Sequence, residues 1–119
     1  MTIKKLIIGT GLVGAYFIVR RAGTSTGACK IKAERSRQLI QEKWSNTHDD
    51  QHTHGELVAA ASCYLEGSSD QWPWEESFWK PQDRIRNLTK AGALIAAEID
   101  RLERAKAQRK NLAQYTGNQ

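Results

Sequence analysis

The chain has 119 residues, 39% of them hydrophobic and 26% charged, enough for one small domain with a limited core and a tail. Its net charge of +5 is unevenly laid out: net +7 over residues 1–37, net −6 over residues 38–103 and net +4 over residues 104–119. An acidic body argues against nucleic acid as a partner, because phosphate must meet a surface rich in Lys and Arg. The basic ends suit an anionic membrane surface instead.

Leu6 to Val19 is a run of fourteen uncharged residues between Lys4-Lys5 and Arg20-Arg21. As a helix it would be about 21 Å long, short for a bilayer core of about 30 Å unless the flanking cations snorkel. We read residues 1–21 as an extra apolar helix that spans a membrane or lies on it. A buried helix or strand and a cleaved signal are the alternatives; Arg20-Arg21 speaks against the signal. If the run spans a membrane, the larger number of basic residues after it than before it places the main domain in the cytoplasm, tethered to that membrane. Gly9-Thr10-Gly11-Leu12-Val13-Gly14 matches the dinucleotide pattern on paper. However, the chain supplies no βαβ unit around it.

Residues 22–29 are small and flexible and read as a linker. A helical domain over residues 30–105 follows, then a basic, frayed tail over 106–119. The first helix of the body is expected over Lys30–Trp44, which lacks Gly and Pro. Next comes His48-Asp49-Asp50-Gln51-His52-Thr53-His54-Gly55-Glu56, which holds all three histidines of the chain. Thr53 and Glu56 have the spacing of a capping box. The helix it would open carries Leu57, Ala60, Ala61, Tyr64 and Leu65 on one stripe. Small residues from Ala59 to Cys63 permit a close neighbouring helix. Cys29 and Cys63 have no Cys-x-x-Cys neighbour, which argues against a zinc knuckle. One disulfide and two free thiols both stay open, with Cys63 expected as a buried thiol.

Gly67 to Asp70 breaks that helix. Trp72, Trp74, Phe78 and Trp79 then fall within eight residues that also hold Pro73, with Pro81 following. Such a segment is not one regular helix. It is expected as an ordered loop whose rings cover the core. Pro81 suits the first turn of the last helix. Ile85, Leu88, Gly92, Ile95, Ile99 and Leu102 recur at steps of three and four and are expected to face the core. Gly92 on that seam suggests a close helix crossing or a ring resting on it. The seam is also a candidate homodimer surface. The fold class is all-α: a small three-helix bundle with a Trp-rich ordered loop and the extra N-terminal helix.

Two groups of side chains carry candidate chemistry. His48, Asp49, Asp50, His52 and Glu56 are candidate ligands for a divalent metal, since imidazole and carboxylate suit zinc or a similar ion. His48 and His52 share a face if the segment is helical. The competing reading is structural, with Asp49 or Asp50 capping a turn and Glu56 closing the box. Trp72, Trp74, Trp79, Lys80 and Arg84 are candidate ligand-binding residues. Indoles stack on flat groups or anchor protein contacts, and the bases suit a phosphate. If both loops meet at one end of the bundle, they form a pocket.

Glu34-Arg35, Arg37-Gln38, Trp44, His48-Asp49-Asp50, His52, Gly55-Glu56-Leu57, Cys63-Tyr64, Trp72-Pro73-Trp74, Trp79-Lys80-Pro81 and Lys90 to Ile95 with Glu98-Ile99 together form a recurring pattern. Through them residues 34–103 resemble a family of small, poorly characterised tailed-phage and prophage proteins. That resemblance implies a phage setting and no particular activity. A looser similarity is to the all-α nucleotide pyrophosphohydrolases, which would imply magnesium held by carboxylates, here Asp49, Asp50, Glu56 and Glu98. The paired acidic motifs of that superfamily are missing. The sequence therefore favours a phage accessory protein that binds a host protein or a small ligand, nucleotide-like molecules included, through the His/Asp and Trp loops. A metal-dependent nucleotide pyrophosphohydrolase and a membrane-associated structural protein are the alternatives.

Overall fold

The structure, a computed structural model, describes residues 25–118. The apolar segment 6–19, the glycine pattern within it and linker residues 22–24 lie outside the described residues. The chain divides between Lys30 and Ile31, and the compact body begins at Ile31. Among the described residues there are four α-helices and no strand. They are α1 (Thr26–Ile40), α2 (Asn46–Asp50), α3 (Glu56–Glu66) and α4 (Arg84–Gly117), with a short 3₁₀ turn at Glu76–Phe78. The body is a small all-α bundle, as the 3.6-residue periodicity required. No helix among the described residues is long and apolar enough to cross a membrane.

Local chemistry sets the helix ends, and several differ from the sequence reading. The first helix starts inside the expected linker, because the Ser25 hydroxyl accepts a hydrogen bond from the Ala28 amide at 3.0 Å and caps the first turn. It stops at Ile40 instead of Trp44. The Trp44 amide turns back to the Gln38 carbonyl at 3.0 Å, and Lys43 takes a left-handed conformation with φ 58°. Ser45 then caps α2 by accepting from the His48 amide at 3.2 Å, so neither Asp49 nor Asp50 is the cap.

The expected capping box does not form. Gly55, at φ 83°, turns the chain immediately before α3, which leaves Thr53 outside the cap position. The Thr53 hydroxyl lies 3.4 Å from His54 Nδ1. Glu56 still folds back, accepting from the His54 amide at 2.6 Å. Gly67, at φ 73°, ends α3 in the left-handed cap that glycine favours. Pro81 precedes α4 instead of opening it. Asp83 caps that helix, accepting from the Arg86 amide at 2.9 Å. Far from fraying at residue 106, α4 runs on to Gly117, through good helix formers with no Gly or Pro in the way.

The core is the contact of α3 with α4. Leu57, Ala60, Ala61 and Tyr64 meet Ala91, Leu94 and Ala97, and Trp44, Trp72, Trp74 and Trp79 pack against the edge. The small side chains let the two helices approach closely. This choice corrects the expected seam of α4. Ile85, Leu88, Ile95, Ile99 and Leu102 are 40–64% exposed. The buried stripe is Asn87, Ala91, Leu94 and Glu98, one residue earlier and so rotated by about 100°. Gly92 alone of the expected seam is covered, by Ile31 of α1.

Polar ties complete the body. The buried Glu34 accepts from Arg37 at 2.7 Å and from Arg86 at 2.5 Å. Arg35 and Asp49 pair at 2.5 Å in the interior, linking α1 to α2. Arg104 and Asp50 pair at 2.7 Å, linking α4 to α2. Both cysteines are free thiols, Cys29 exposed and Cys63 buried on α3.

Candidate functional site

The His/Asp turn and the Trp loop meet. Trp44, His48 and His52 follow one another at steps of four, and the Ser45-capped turn stacks them. Trp44 lies parallel to His48 with centroids 5.9 Å apart, and His48 meets His52 edge-on at 4.9 Å. His52 then meets Trp74 at 5.1 Å, and Trp74 stands perpendicular to Trp72 at 5.3 Å. Trp72 continues to Trp79 at 5.1 Å and to Tyr64 at 5.7 Å. The outcome is an unbroken line of rings from Trp44, between α1 and α2, to the core tyrosine of α3. The Trp72 indole N–H donates to the Glu75 carbonyl at 3.0 Å, which fixes the loop's shape.

These rings enclose a cavity of about 320 Å³ lined by Trp44, His48, His52, Leu57, Trp72, Trp74, Glu75 and Phe78. That is the lower end of the size range of small-molecule sites. The lining is mainly aromatic. Its polar points are the two imidazoles and Glu75. Nε2 of His52 is buried and has no hydrogen-bond partner among the described residues. The other ring nitrogen, Nδ1, lies 3.5 Å from Glu56. Desolvation pushes the Glu56 carboxyl up, but the amides of Glu56 and His54 and the His52 imidazole outweigh it and hold the group below the usual carboxylate range. His48 Nδ1 lies 3.2 Å from Asp49.

The five candidate metal ligands do not converge. Among the described residues, no three His, Cys, Asp or Glu side chains are grouped as a metal requires. Asp49 faces Arg35 and Asp50 faces Arg104, so arginines occupy the lone pairs a metal would need. Glu98, invoked for a hydrolase, is bonded to Arg101 at 2.7 Å. The cluster divides instead: its imidazoles line the ring cavity, and its aspartates anchor α2 to the bundle.

The candidate ligand-binding residues divide too. Trp72 and Trp74 line the cavity. Trp79 packs on Tyr64 at 4.7 Å and belongs to the floor beneath the loop. Lys80 lines a small hollow together with Trp72, Trp74 and Phe78 and the adjoining groove with Arg37, Glu42, Gln82, Arg86 and Lys90. Arg84 donates to the Leu65 carbonyl at 2.5 Å and ties α4 to α3. The sequence reading passed over Trp44, Leu57, Glu75 and Phe78. Trp44 left a usable signal, since it precedes His48 by the same four residues that separate His48 from His52. Phe78 stood in the same dense run of rings as Trp72 and Trp74, but Glu75 left no signal, because an irregular loop has no period to reveal which way a side chain faces.

No family model, curated protein or solved structure matches this chain.

Proposed function

We propose that this protein is a small binding module without catalysis of its own, which takes an apolar, ring-sized group in the cavity between the His/Asp turn and the Trp loop. The setting follows the resemblance of residues 34–103 to phage and prophage proteins. The group belongs to a host protein's side chain or to a free small ligand. The observation that carries the reading is the cavity itself: about 320 Å³, walled by three tryptophans, a phenylalanine and two imidazoles. Apolar rings left facing an open hollow gain free energy when a flat group displaces water, at about 25 cal/mol for each Å² buried. Indoles add a preferred geometry for that group. The His48 and His52 imidazoles and Glu75 in the lining supply polar points that would select among ring-shaped ligands. A metal-dependent pyrophosphohydrolase has less support, because Asp49, Asp50 and Glu98 are held by arginines.

Saturation-transfer NMR with indole, phenol and adenosine tests the proposal. At least one ring compound is expected to receive saturation from the protein. The signal should fall sharply in Trp74→Ala and in Phe78→Ala, the second being a half-exposed rim position whose loss leaves the core intact. If no ring compound binds, or if neither substitution alters binding, the proposal fails.

A further inference from the structure

We propose that the groove lined by Arg37, Glu42, Lys80, Gln82, Arg86 and Lys90 is a binding site for a phosphate group. Its volume is about 380 Å³, and it adjoins the ring cavity through a small hollow lined by Trp72, Trp74, Lys80 and Lys90 among others. Arg86 and Lys90 stand four residues apart on α4 and so present to one side of the helix. Arg37 comes from α1, while Lys80 and Gln82 come from the segment leading into α4.

The charges in this groove do not cancel. Its acids are Glu42 in the lining and Glu34 beneath it. Glu34 is shared by Arg37 and Arg86, and Glu42 is engaged by Arg37 at 2.8 Å. Lys80 and Lys90 pair with no carboxylate among the described residues. Residues 1–24 contain no Asp or Glu that could supply one. Four cations against two carboxylates leave two positive charges unbalanced at the groove.

Lys90 makes the imbalance costly. It is only 9% exposed, and lysine is almost never this buried without a partner. Its ammonium donates to the Lys80 carbonyl at 2.6 Å and lies 5.3 Å from the centre of the Tyr64 ring. An ammonium has three donors, and the carbonyl uses one. Burial, and then the neighbouring Arg86 charge, push the Lys90 pKa down, which is the mark of a cation short of counter-charge. An anion in the groove would relieve that shortage.

The excess charge and the donors select the ligand. A dianionic phosphate balances two positive charges, whereas a carboxylate balances one. A tetrahedral oxyanion also accepts from several directions at once, matching donors spread over α1, α4 and the intervening segment. The source is either free phosphate or a phosphate ester.

Isothermal titration of the full chain with inorganic phosphate, and separately with phosphoserine, tests this at constant ionic strength set with chloride. One saturable site is expected for at least one of the two. Lys80→Ala and Lys90→Met should each weaken it about tenfold, the loss of one charge-assisted hydrogen bond. Tighter binding of phosphoserine would identify an ester as the source, and tighter inorganic phosphate a free ion; each supports the site. The absence of saturable binding by both, or affinity left unchanged by Lys80→Ala, would overturn it. The Lys80 ammonium makes no hydrogen bond among the described residues, so that variant reads binding even if Lys90→Met disturbs the fold.

Discussion

Ile31 of α1 rests directly on Gly92 of α4. A Cβ built on Gly92 would lie 2.5 Å from Ile31 Cδ1 and 2.7 Å from its Cγ1, closer than side-chain atoms tolerate. The glycine is therefore the point where the first helix crosses the last. Gly92→Ala sets two effects against each other. Helix propensity favours alanine by about 1 kcal/mol, while forcing Ile31 aside costs about 1–3 kcal/mol. The crossing should dominate, giving a net loss of about 1 kcal/mol in urea unfolding. In an Ile31→Ala background the clash is gone, and the same substitution should become neutral or stabilising. Equal effects in both backgrounds would show that Ile31 does not occupy this position.

Arg35 and Asp49 make the most buried ion pair of the body, with side chains 10% and 1% exposed. The Nε and Nη1 atoms of Arg35 are buried and have no partner among the described residues, so Asp49 alone compensates the guanidinium. Asp49→Ala strands that charge and should cost about 3–5 kcal/mol, as breaking one side of a buried pair does. Replacing both residues, Arg35→Met with Asp49→Leu, should recover much of the loss, since two apolar groups need no counter-charge. Chemical denaturation of the two singles and the double gives the coupling energy. A double mutant as unstable as the sum of the singles would mean the pair is not coupled.

The all-α class was legible because helical periodicity survives in the sequence even where particular faces are misjudged. The face of α4 was misjudged for a physical reason. Ranking by hydrophobicity selects Ile85, Ile95 and Ile99, whereas tight packing against Ala60 and Ala61 selects Ala91, Leu94 and Ala97. Small residues bury less area each but allow a closer helix pair. The candidate site was half legible. His48, His52, Trp72 and Trp74 stood out by type and density, and they meet. The roles of Asp49 and Asp50 did not show, because their partners Arg35 and Arg104 are distant in sequence and no local spacing announces them. The phosphate groove is similar: Lys80 was visible beside the tryptophans, but its companions Arg37 and Lys90 come from two other helices.

Glu34 should give the fold an acid-sensitive component. Burial pushes its carboxyl up, but hydrogen bonds and charge from Arg37 and Arg86 outweigh burial and hold it below its ordinary value of 4.5. A carboxyl depressed in the folded state binds a proton more readily when unfolded, so its stabilisation is complete above the ordinary value and is lost as pH falls through the folded one. At pH 7 the contribution is fully present. Glu34→Gln should therefore cost about 1.5–3 kcal/mol at neutral pH, the range for hydrogen bonds to a charged group. The half-exposed Arg37 and Arg86 can recover some hydration and keep the loss toward the lower end. On acidification below about pH 4.5 the wild-type protein should lose stability faster than the variant, and the gap between them should close. Urea midpoints measured from pH 7 down to pH 3 for both proteins decide it. A gap that stays constant across that range would mean the Glu34 carboxylate does not gain its charge-dependent stabilisation from the two arginines.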